Sequence, residues 1–141
     1  MKISEIVEAI KKEYPEVEKY QDDSLELFNL GLDELRKREY KEAEKYYKKL
    51  ILSQPEHHDG FQYLGILKYY NGKVEEAKTL MDEAISLALK FYHDGTLDKE
   101  ILDEIREERE IIAKGESVDK IFKLFMRKSN SKGGLISLNE P

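Results

Sequence analysis

The residues whose types could do chemistry are few: His57, His58 and His93, among 30 aspartates and glutamates and no cysteine. His57-His58-Asp59 sets two imidazoles and a carboxylate in consecutive positions, a donor set that suits zinc or nickel. Adjacent residues at a helix start point in different directions, however, and no thiol supports them, so the expectation is solvated loop histidines and no metal. His93-Asp94 falls at another helix end and reads as a terminal cation near the negative end of the dipole. The acids spread over solvent faces and form no general acid/base pair. Without cysteine there is no disulfide framework, thiol nucleophile or thiolate metal site. Gly133-Gly134 stands alone, so no glycine-rich loop offers to cradle a phosphate. These residues predict no enzyme, no cofactor and no catalytic centre.

Nine tyrosines remain, of which Tyr46, Tyr47, Tyr63, Tyr69, Tyr70 and Tyr92 fall between residues 46 and 92. Tyrosine buries a large rigid surface at low entropic cost and keeps a polar handle, which suits both core packing and binding. Composition narrows the choice further. The chain has 141 residues, 40% hydrophobic and 38% charged, enough for one domain with a real core and too charged for a membrane protein. Its longest uncharged apolar run, Ala84 to Leu89, is far short of the ~20 residues that a bilayer span needs. Glu5, Glu8, Lys11 and Lys12 interrupt any apolar signal core, and a cytoplasmic location is expected. A net charge of -6 argues against nucleic acid, whose binders show a basic stripe.

The elements that position these residues repeat at a spacing of 34. Leu27-x-x-Leu30-Gly31, Ala43, Tyr47 and Leu50 recur as Phe61-x-x-Leu64-Gly65, Ala77, Met81 and Ala84. Such a period marks a helix–turn–helix unit that stacks on its own copies. Asp23 and Glu26 have capping-box spacing at the first copy, as do Asp59 and Gln62 at the second. A helix is expected from Tyr40 to Ser53, stopped by Pro55, and Asn71-Gly72 marks the turn of the second copy. A glycine inside a helix costs about 1 kcal/mol relative to alanine. Gly31 and Gly65, at one phase, therefore predict close approach, to Ala43 and Ala77 respectively.

The flanks are helical by periodicity. Residues 1–14 carry Ile3, Ile6, Val7, Ile10 and Tyr14 on one face. A helix over 97–113 is net acidic, and Val118 to about Lys128 carries Ile121, Phe122, Leu124, Phe125 and Met126 in a basic stretch, capped by Ser117. Opposite charge predicts a hairpin of these two. Residues 129–141 read as a flexible tail, whose Leu135-Ile136-x-Leu138 is its apolar feature.

Both copies, about 24–57 and 58–91, resemble tetratricopeptide repeats in the large apolar residue, the Leu-Gly pair, the later Ala, the aromatic Tyr47 and the closing Pro55. Tyr40-Lys-Glu-Ala43 and Val74-Glu-Glu-Ala77 match the family's second-helix opening. The pattern departs at Glu34 and Lys68, where the family often has an aromatic, and at Leu89, where it has the closing proline. The resemblance implies an all-α, right-handed stack of helical hairpins, about seven helices, in one domain over 1–128. It also implies a concave groove on the first helices, lined by Phe28, Leu32, Leu35 and Arg36, then Asp59, Gln62, Tyr63, Ile66, Tyr69 and Tyr70. Family members that clamp a terminal carboxylate use Lys, Asn and Arg there, whereas Phe28, Leu32 and Tyr63 stand in the matching places. The groove is thus expected to take an apolar or helical segment of a protein partner, as an adaptor or chaperone-like module. The alternative is a self-contained helical subunit, its groove filled by 1–14 or 118–126, or its exposed face pairing two copies as a homodimer.

Overall fold

Proline, glycine and short charged turns cut the chain into helices whose apolar faces must then find one another. The computed structural model describes residues 1–20 and 23–131, with side chains as far as residue 124. Seven helices form: α1 (Ile3–Glu13), α2 (Ser24–Arg36), α3 (Tyr40–Ser53), α4 (His58–Tyr70), α5 (Val74–His93), α6 (Lys99–Ala113) and α7 (Val118–Ser131). The described residues contain no strand, so the fold is all-α as expected. Helix α3 has the expected bounds, α6 starts two residues later than Leu97, and α7 runs past Lys128. Residues 129–131, expected in the tail, are therefore helical. The rest of that tail, with Leu135, Ile136 and Leu138, and the side chains of Phe125 and Met126 lie outside the described residues.

From α2 onward, consecutive helices pack on one another. Helix α2 pairs with α3, α4 with α5, and α3–α4 and α5–α6 join the pairs. Helix α1 lies across α3 and α5, whereas α7 lies against α4 and α6. The turns inside the two central hairpins are alike. Arg38 (φ 62°) and Gly72 (φ 82°) both adopt the left-handed conformation, 34 residues apart. At the first turn Arg38 N–H donates to the Leu35 carbonyl and Glu39 N–H to that of Glu34. At the second, Gly72 N–H donates to Tyr69 and Lys73 N–H to Lys68, so each closes its helix with the same two bonds.

The central glycines mark where α2 meets α3 and α4 meets α5. A Cβ on Gly31 would stand 2.5 Å from Cζ of Tyr47, and one on Gly65 would stand 2.9 Å from Sδ of Met81. The close approach is real, but its partners are Tyr47 and Met81, one helical turn beyond the expected Ala43 and Ala77. Gly60 adds a contact that the repeat pattern does not flag: its Cβ would meet the α3 backbone at Ile51 N, 3.0 Å away. Tyr47, Leu64, Ala77, Leu80, Met81 and Ile105 belong to one continuous core that reaches from Ile6 to Leu124. No described helix is long and apolar enough to cross a membrane.

Charge organises the α1 side. Lys48 pairs with Glu13 of α1 at 2.9 Å and with Glu44 at 3.1 Å, and Lys68 of α4 reaches Glu44 at 3.4 Å and Glu76 of α5 at 3.6 Å. Burial pulls the Lys48 pKa down, but its bonds to Glu13 and Glu44 outweigh that and leave it raised. On the other side Arg109 of α6 grips Asp82 of α5 at 2.7 Å.

Candidate functional site

The ten residues assigned to the groove fall into three environments. Leu32, Leu35, Gln62 and Ile66 are buried in the core. Phe28, Tyr63 and Tyr69 are half-buried, and Asp59 has 29% of its side chain exposed. Arg36 and Tyr70 are exposed, Arg36 paired with Asp33 at 3.0 Å on its own helix.

Phe28 anchors an aromatic cluster that joins α2, α3 and α4. Its ring meets Tyr63 edge-on at 5.5 Å and Tyr47 at 6.3 Å, while Tyr47 stacks on Tyr63 at 5.0 Å. Such pairs add about 0.5–1.5 kcal/mol beyond the area they bury. Burial pushes both phenols well above their ordinary pKa, with Asp59 raising each further. The Tyr47 hydroxyl is buried without a hydrogen-bond partner.

At the far end of α4 the face is covered from within the chain. The Tyr69 hydroxyl donates to the carbonyl of Glu116 in the α6–α7 turn. Phe122 of α7 stacks on Tyr40 at 5.9 Å and lies 6.5 Å from Tyr70, which itself stands 4.4 Å from Tyr40. Between the two ends, Nε2 of buried Gln62 donates to Oε1 of buried Glu108 on α6, at 2.8 Å.

The start of α2 is open. Leu25 is 72% exposed, and beside it lies a pocket of about 310 Å³ lined by Ser24, Leu25, Phe28, Leu50, Gln54, His57 and Asp59. Leu25 was not among the expected groove residues. Its signal was an apolar residue next to the capping region, off the stripe that packs the core. Ser24 fixes this end of α2 through a 2.6 Å bond between its Oγ and that of Ser53 at the end of α3.

The caps differ from expectation in a way that matters here. Asp23 precedes α2 but makes no side-chain capping bond. The N-cap of α4 is His57, not Asp59: its Nδ1 accepts from Asp59 N–H at 3.2 Å. The histidine pair therefore does not diverge into solvent. Its rings stack at 4.6 Å, His58 is only 4% exposed, and one ligand atom each from His57, His58 and Asp59 lie within 4.8 Å of one another. Desolvation lowers the His58 pKa, opposed by the Asp59 carboxylate, so the buried ring favours its neutral form.

No protein-family model, curated protein or solved structure shows significant similarity to this chain.

Proposed function

We propose that the chain is a non-enzymatic interaction module of the tetratricopeptide-repeat type, a right-handed hairpin stack that holds an apolar or helical segment of a cytoplasmic protein partner. The repeat reading is supported by geometry at one phase: Gly31 on Tyr47 and Gly65 on Met81, with Arg38 and Gly72 turning the chain alike. The observation that carries the binding reading is Leu25, 72% exposed at the rim of a pocket whose apolar wall is Phe28 and Leu50. A leucine or aromatic anchor from a partner would bury there against Phe28, with Gln54, His57 and Asp59 as the polar rim.

Over α4 a second reading applies. The Tyr69–Glu116 bond and the Phe122–Tyr40 stack favour a face filled in cis by α7 rather than one kept free for a ligand. The two readings divide the surface, leaving the α2 end for a partner.

Affinity capture from the native host with wild type and Leu25→Asp tests the proposal. Leu25 is exposed, so the substitution leaves the core intact. A partner held by wild type and lost by the variant, at equal helicity, is the expected result. Identical captures from the two proteins would mean that this end of α2 is not the working surface.

A further inference from the structure

We propose that His57, His58 and Asp59 bind a divalent transition-metal ion of the zinc, nickel or copper class at the start of α4. This goes beyond the interaction reading and does not depend on it. The first observation is convergence. Nδ1 of His57 stands 3.3 Å from Oδ2 of Asp59, and Nδ1 of His58 stands 3.4 Å from Oδ1. Ligands on a tetrahedral ion at bond lengths near 2.1 Å stand roughly 3.4 Å apart. Each nitrogen meets a different oxygen of the carboxylate, and one ligand atom from each residue lies within 4.8 Å of the others, so a small side-chain adjustment would bring all three onto one ion.

The second observation is independent of spacing: a buried imidazole nitrogen of the cluster has no hydrogen-bond partner. His57 Nδ1 accepts from the Asp59 backbone N–H, so it carries no proton of its own. His58 Nδ1 is buried and makes no hydrogen bond. This buried nitrogen stands 3.4 Å from a carboxylate oxygen without bonding to it, and a shared cation would satisfy both.

The surroundings complete the site. Gln62, one turn beyond His58 on α4, is tied to Glu108 of α6 at 2.8 Å and so fixes the helix against α6 beside the site. Glu104 adds negative potential at His58. His57 and Asp59 line the pocket beside Phe28, so an ion has a route in and a fourth position for water. Two nitrogens and one carboxylate suit zinc, nickel or copper. Calcium, which takes 6–8 oxygens, and magnesium, which keeps an octahedral oxygen shell, are poorly served. The cost is the His57 capping bond, typically worth about 1 kcal/mol, which the ion must displace or share.

Isothermal titration calorimetry of the tag-free full chain with zinc chloride tests this, with magnesium chloride in parallel and circular dichroism as the check on folding. Wild type should bind one zinc per chain saturably and give no heat with magnesium. His57→Gln and Asp59→Asn should each weaken zinc at least about tenfold, while His93→Gln should bind as wild type does. Should Asp59→Asn lose helicity, His57→Gln, altering a part-exposed ring, decides alone. Absent saturable zinc binding by wild type, undiminished binding by His57→Gln, or loss on His93→Gln would each overturn the proposal.

Discussion

A single hydroxyl at the centre of the aromatic cluster illustrates how local chemistry and packing compete. The Tyr47 ring fills the space over Gly31, yet its hydroxyl is buried without a partner. An unmade hydrogen bond of this kind costs about 1–3 kcal/mol, whereas the ring itself is what the packing needs. Tyr47→Phe keeps the ring and removes the orphan. Urea unfolding should therefore show a gain of about 1 kcal/mol; a loss of that size would mean that the hydroxyl is bonded after all. Alkaline titration reads the same environment. Tyr47 and Tyr63 have folded pKa values raised above the ordinary 10.0. Below pH 10.0 the phenols are neutral in both folded and unfolded chains, and their contribution to stability is fully present. Above it the unfolded chain ionises first, so stability falls as pH climbs towards the folded values. Unfolding followed by phenolate absorbance should show this loss, and Tyr47→Phe should make it shallower.

At the scale of the element, the glycines decide how closely hairpin helices approach. In an unobstructed helix Gly→Ala gains about 1 kcal/mol from propensity. At Gly31 the new methyl meets a rigid, fully buried ring at 2.5 Å, and at Gly65 it meets a flexible thioether at 2.9 Å. Methionine can move aside and tyrosine cannot. Gly31→Ala should destabilise by roughly 1–3 kcal/mol, as overpacking does, and Gly65→Ala should come out near neutral in the same thermal melts. Equal losses at both sites would contradict the packing. The elements were the most legible part of the sequence. Period, Pro55 and Asn71-Gly72 located α2 to α5 because those signals are local. The glycine phase was readable too, but its contact residue was not, since the tilt of one helix on another moves the contact by a turn. The first turn was bounded by the expected helix start at Tyr40, but the left-handed conformation of Arg38 carries no signal of the kind that Gly72 does.

For the whole molecule, what the sequence could not convey is which faces the flanking helices cover. Amphipathic patterns of 1–14 and 118–126 are alike, and only the assembled fold lays α1 across α3 and α5 and α7 against α4. Gln62 and Ile66 were thus legible as face residues but not as buried ones, Gln62 being held by Glu108 of α6, 46 residues along the chain. His57 and His58 misled for a related reason. Their convergence depends on His57 taking the N-cap, which imidazole rarely signals. If α7 closes the face, Ile121→Asp, which puts a charge at a fully buried site, should release it. A hydrophobic dye should then bind the variant more strongly than wild type, with helicity of α2 to α5 largely kept. An unchanged dye response would mean that α7 covers no apolar surface.

The central claim is that a partner sits at the open end of α2, and site-specific photo-crosslinking in the native host tests it most directly. A photoreactive residue at position 25 is compared with one at Ser86, exposed on α5. The account predicts a discrete crosslinked partner from position 25 and none from position 86. A partner trapped only from position 86, or the same adducts from both, would contradict it.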